Sequence, residues 1–155
     1  FGPGDELKYA GKTDVAVSVK WTATMALAGR IELVCNGKVV ATQSGKATLG
    51  EPLLLTAKIP FEKSGWVTAR RMDDNGHQTH TAATFITINN KSVRASADDA
   101  RFFIYWIDQI LKNTAPGGKW NKYFSTDLDT IRQRYAQAKN IYQGILKDCE
   151  KMNAQ

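Results

Sequence analysis

The hydrophobic spacing of this chain changes once, near Arg94, from every second residue to every third or fourth. Alternation at a period of two sorts side chains onto opposite faces of a strand, whereas steps of three and four gather them on one side of a helix. The chain must therefore join a sheet-forming part to a helix-forming part.

Residues 13 to 21, TDVAVSVKW, set Val15, Val17, Val19 and Trp21 against Asp14, Ser18 and Lys20, the pattern of a half-buried strand. In RIELVCNGKVVATQ, 30 to 43, two apolar runs meet at Asn36-Gly37, the dipeptide that best tolerates the positive backbone angles of a two-residue hairpin turn. PLLLTAKIP, 52 to 60, lies between Pro52 and Pro60, which suit strand ends. SGWVTARRM alternates Trp66, Thr68 and Arg70 against Val67, Ala69 and Arg71; DDNGHQ reads as a loop; HTAATFITI gives a last strand before a turn at Asn89-Asn90. Short strands with turn signals between them predict an N-terminal antiparallel Ig-like β-sandwich over 1–94.

Beyond Arg94, Ser96 followed by Asp98 and Asp99 has the composition of a helix start: a hydroxyl cap and acids in the first turn, where the helix dipole favours them. Ala100, Phe103, Ile104, Ile107, Ile110 and Leu111 make one apolar stripe. Phe102 and Trp106 widen it and are expected to dock the helix onto the sandwich. NTAPGGKW breaks the pattern. A second helix is expected to start near Ser125 or Thr126, with a lengthwise seam of Leu128, Ile131, Tyr135, Ala138, Tyr142, Ile145 and Cys149. The fold expected is α+β: the sandwich, then a C-terminal antiparallel two-helix hairpin over 95–155, packed with it as one structural unit.

At 155 residues and 43% apolar composition the chain can bury a real core. Its formal charge of +6 is spread among acids: Arg132, Arg134 and Lys139 share a helix with Asp127 and Asp129. Such mixing marks a solvated surface and argues against a nucleic-acid groove. No apolar run reaches the length of a membrane span, and FGPGDELKYAGK lacks the apolar core of a signal peptide. A start at Phe1 is expected of a piece cut from a longer protein. Cys35 and Cys149 lie far apart with no ligand spacing near either.

Residues 64 to 88 hold Trp66, Arg70, Arg71, an acidic turn, and both histidines of the chain. His77 and His80 form an HxxH pair, but one falls in a turn and the other opens a strand, a poor geometry for shared ligation, and no third ligand stands at a recognisable spacing. Asp73-Asp74-Asn75-Gly76 opens like a calcium loop without the later Glu, so turn chemistry accounts for it. No nucleophile elbow, paired carboxylates or phosphate-binding loop occurs. The chain is expected to be non-catalytic, with no metal or cofactor of its own. Trp66 is expected in the core or at its rim. Arg70 and Arg71 point to opposite faces of their strand, where a covered guanidinium would need a carboxylate partner.

PGDEL, the NGKVVA hairpin, SGWVTARR, HTAATFITINNKSVR, DDARFFIYWIDQIL and AKNIYQGIL, in that order, resemble the C-terminal region of CehA/McbA-type metallohydrolases of the polymerase and histidinol phosphatase (PHP) superfamily. The matching positions are Asn36-Gly37, Ser64-Gly65-Trp66 with Arg70, and His80-Thr81; Ala82-Ala83 stands where the family often has Pro. The resemblance implies an accessory domain that packs on and helps shape an upstream catalytic domain of the same polypeptide. That domain would bind a divalent metal and be periplasmic or secreted. Trp66, Arg70 and His80 are then the candidate interdomain contacts, with Arg70→Ala and His80→Ala expected to leave the stability of this part almost unchanged but to lower the activity of the full-length enzyme. The alternative is a secreted β-sandwich module binding a glycan or protein, with Trp120 and Tyr123 as its platforms.

Overall fold

Asn36 and Gly37 both take positive φ, 49° and 84°, as a two-residue hairpin turn requires. The turn joins two of the strands of a computed structural model that describes residues 1–94, 96–123 and 127–153. The strands are β1 (Glu6–Tyr9), β2 (Thr13–Trp21), β3 (Leu27–Cys35), β4 (Lys38–Ala47), β5 (Leu53–Phe61), β6 (Gly65–Met72), β7 (Gln78–His80) and β8 (Thr84–Ile88); the helices are α1 (Ala97–Thr114) and α2 (Leu128–Asn153). Phe1–Val93 and Arg94–Gln155 form two compact units.

In the first unit, a six-stranded sheet runs β1-β8-β6-β3-β4 with β7 paired to β6, and a two-stranded sheet pairs β2 with β5. The strand pairs are antiparallel except β1 with β8, which run parallel. The fully antiparallel sandwich expected from sequence is corrected at that edge. ELKY, the sequence of β1, is too short to show a period, and its pairing is made with a strand almost eighty residues away.

Val15 of β2, Leu55, Ile59 and Phe61 of β5, Ile31 and Leu33 of β3, Val67 of β6 and Ile86 and Ile88 of β8 form the buried core. The two sheets thus share one apolar interior, to which each fully buried side chain contributes about 1.5–3 kcal/mol. The hairpin carries one irregularity: Leu33 faces Ala41 but Val34 faces Val39, so Val40 is an extra residue that kinks edge strand β4.

In the second unit, Ser96 caps α1 by accepting the Asp99 N–H at 3.0 Å, and Asp98 and Asp99 fill the first turn. Arg101 meets Glu150 at 2.8 Å, Lys139 meets Asp108 at 2.7 Å, and Arg132 donates to the Leu111 carbonyl at 2.7 Å. Contacts that climb α1 while descending α2 define an antiparallel hairpin. Phe103 stacks on Tyr142 with ring centroids 4.9 Å apart, and Ile107 and Cys149 are buried. At one hundred degrees per residue, Phe102, Tyr105 and Trp106 fall on the side of α1 opposite this seam, and all three remain exposed. The expected start of α2 near Ser125 or Thr126 lies outside the described residues. Cys35 and Cys149 are free thiols.

Candidate functional site

Because Ile31, Leu33 and Val67 face the core, alternation turns Arg30, Glu32 and Val34 of β3 and Trp66, Thr68 and Arg70 of β6 to the outer face of the six-stranded sheet. Strand register then aligns them. Glu32 lies opposite Thr42 on one side and Arg70 on the other, Arg70 lies opposite His80, and Trp66 lies opposite Phe85. A row Thr42, Glu32, Arg70, His80 therefore crosses four strands, with Trp66 and Phe85 further along the same face.

Glu32 is the centre of the row. Its side chain is 7% exposed; one carboxylate oxygen accepts from Arg30 Nε at 2.6 Å and the other from Arg70 Nε at 2.5 Å. A carboxylate so deeply covered needs such partners, since an unpaired buried charge costs several kcal/mol. The Arg30 hydrogen bond lowers the Glu32 pKa against the opposing effect of burial, and the Arg70 hydrogen bond and the two guanidinium charges lower it further. Arg30 also reaches the Met72 sulfur, 3.6 Å from Nη2. Among the described residues Arg70 engages Glu32 through Nε alone, so its terminal amino groups remain as donors on a surface where the side chain is about one-third exposed. Two guanidinium groups against one carboxylate leave one net positive charge.

Trp66 sits on this outer face, partly exposed and outside the core cluster. Its backbone N–H donates to Asn36 Oδ1 at 3.0 Å and its carbonyl accepts the Asn36 N–H at 3.1 Å, which ties the hairpin turn to the start of β6. Phe85 beside it is 45% exposed. His80 is exposed, with Nδ1 3.0 Å from the Thr81 carbonyl oxygen. Trp66, Arg70 and His80 thus share one face. Arg70, however, is committed to a buried carboxylate, which argues against the expectation that its removal leaves stability unchanged. After His80 the chain leaves the sheet over 81–83 before β8, while Thr68 and Thr81 join their hydroxyls at 3.0 Å.

Arg71 points inward at the far end of the sandwich. Its guanidinium lies 5.0 Å from the centre of the Trp21 ring and 3.0 Å from Asp73 Oδ2, so both arginines have found a carboxylate. Asp73 organises the following turn: its Oδ1 accepts the N–H groups of Asn75 and His77, each at 3.0 Å, and Gly76 takes φ 82°. Burial pushes the Asp73 carboxyl up, but the His77 hydrogen bonds together with the Arg71 and His77 charges outweigh it and hold the pKa below its ordinary value. His77 belongs to this turn and His80 to the sheet. Among the described residues no three His, Cys, Asp or Glu side chains gather into a cation site.

Trp120 and Tyr123 lie in the connection between α1 and α2, 40% and 70% exposed. The Trp120 N–H donates to the Asn113 carbonyl at 2.8 Å, and Lys122 Nζ stands 5.1 Å from the Tyr123 ring centre. Arg30, Glu32 and Phe85 join the predicted residues on this face, although local alternation alone does not single them out. The available signal was an acid set within the apolar run RIELVC, with an arginine two residues before it and so on the same strand face. No protein-family model matches the chain, and no curated protein or solved structure shows significant similarity to it.

Proposed function

We propose that this chain is a non-catalytic interaction domain that docks through the outer face of its six-stranded sheet. Following the resemblance to CehA/McbA-type proteins, its partner is an upstream metal-dependent catalytic domain of the same polypeptide. The observation that carries the docking reading is the Glu32–Arg70 pair on the same sheet face as Trp66 and Phe85. Arginine and tryptophan are the side chains most enriched at interface hot spots. Here a buried carboxylate holds the Arg70 fork in one orientation, so little side-chain entropy remains to be lost on binding. The donors left free on Arg70 suit a carboxylate on the partner, and Phe85 offers apolar area further along the same face. His80 would sit at the rim.

The test begins with the native reading frame upstream of Phe1. If it encodes a domain with clustered metal-binding histidines and aspartates, titration calorimetry between that domain and the 155-residue chain should show binding. Phe85→Asp, which spares the Glu32 pairing, should then weaken it at least about tenfold. Binding unchanged by Phe85→Asp would overturn the docking face, and a frame without such a domain would overturn the hydrolase partner. Oligosaccharide quenching of tryptophan emission, lost in Trp120→Ala, would favour a glycan-binding module instead.

A further inference from the structure

Strand β2 pairs with β5 along one edge, and among the described residues its other edge has no backbone partner. Nine residues long, without proline or a register shift in its pairing with β5, it is the kind of open edge that recruits another strand. A cleft of about 450 Å³ runs beside it, walled by residues 16–20 of β2 and floored by Leu33, Val67 and Ala69 of the facing sheet. Val17 and Val19 point into the sandwich yet are incompletely buried. Phe1–Pro3 also line the cleft; the Gly2 carbonyl accepts from Thr84 Oγ1 at 2.8 Å, and among the described residues no backbone hydrogen bond joins this segment to β2.

The side chains of β2 are self-complementary. Antiparallel pairing of two copies about a two-fold axis at Val17 sets Asp14 opposite Lys20 of the second copy, Lys20 opposite its Asp14, Ala16 opposite Ser18, and Val15 opposite Val19. Both charge pairs are attractive and exposed, and the valines meet on the inner side, where the cleft needs cover. Any register shifted along the strand loses this double match. We infer that the chain forms a homodimer through β2, joining the two small sheets of two copies into one continuous four-stranded sheet. This surface is separate from the outer face of the six-stranded sheet and stands independently of the function proposed above.

Sedimentation velocity of the 155-residue chain across a concentration series tests the inference. The wild type should dimerise. Asp14→Lys alone and Lys20→Asp alone each place two like-charge pairs at the interface and should weaken association at least about tenfold. An equimolar mixture of the two variants should form a heterodimer, and the double variant D14K/K20D should dimerise again, because both restore opposite charges at every pair. These rescues separate a broken interface from a damaged fold, since Asp14 also pairs with Lys58 at 2.9 Å within the subunit. A wild type that stays monomeric at several hundred micromolar would overturn the inference. So would single variants that dimerise like the wild type, or charge-swapped partners that fail to restore association.

Discussion

Replacing Arg70 by Met removes one of the two guanidinium groups that hold Glu32 and keeps most of the aliphatic stem that covers it. A hydrogen bond to a charged group contributes about 1.5–3 kcal/mol. Arg70 is 34% exposed, so water can replace part of what the carboxylate loses, and Arg30 remains at 2.6 Å. With that discount the expected loss is about 1–2 kcal/mol. For a unit the size of Phe1–Val93 this corresponds to a fall in Tm of roughly 5–15 °C. Urea melts monitored by tryptophan emission, for the wild type, Arg70→Met, Glu32→Gln and the double variant, would isolate the pairwise contribution. The pH dependence has a definite sign. Pairing lowers the folded pKa of Glu32, so its contribution is fully present above the unfolded value of about 4.3 and is lost as pH falls through the lower folded value. The gap between wild type and Arg70→Met should be constant from pH 7 to about 5 and narrow below about 4. A destabilisation under about 0.5 kcal/mol at pH 7, or a gap undiminished in acid, would refute the view that Glu32 is a buried charge dependent on both arginines.

Two further substitutions probe the two units separately. A Cβ added at Gly65 would lie 2.7 Å from both Oδ1 and Nδ2 of Asn36, whose Oδ1 accepts the Trp66 N–H; Gly65→Ala should cost about 1–3 kcal/mol, and an unchanged denaturation midpoint would show that the Asn36 clamp yields freely. Ile107, 5% exposed on the α1 seam, should cost about 2–4 kcal/mol as Ala, seen as an earlier loss of helical circular dichroism; a melt superimposable on the wild type would mean that the seam contributes little.

Local periodicity and turn chemistry were enough to read most of the secondary structure. Alternation in TDVAVSVKW gives β2 its bounds, Asn36-Gly37 gives the hairpin, and Ser96 with Asp99 gives the start of α1; each signal is written in residues within a few positions of one another. The same alternation sorted Trp66 with Arg70 and against Arg71. It could not say which side was the core, because β6 carries an apolar and a charged residue on each face. The tertiary structure decided that by laying β2 and β5 over the Val67 side. Pairing between β3 and β6 set Arg70 against Glu32 across 38 positions of sequence, and β8 recruited the four-residue β1 in parallel. A strand's sequence specifies its own two faces, whereas its neighbours depend on which distant strands pair with it. For that reason the elements could be read from the chain alone, while the Glu32 pairing, the placement of Trp66 opposite Phe85 and the open edge of β2 emerged from the assembled sheets.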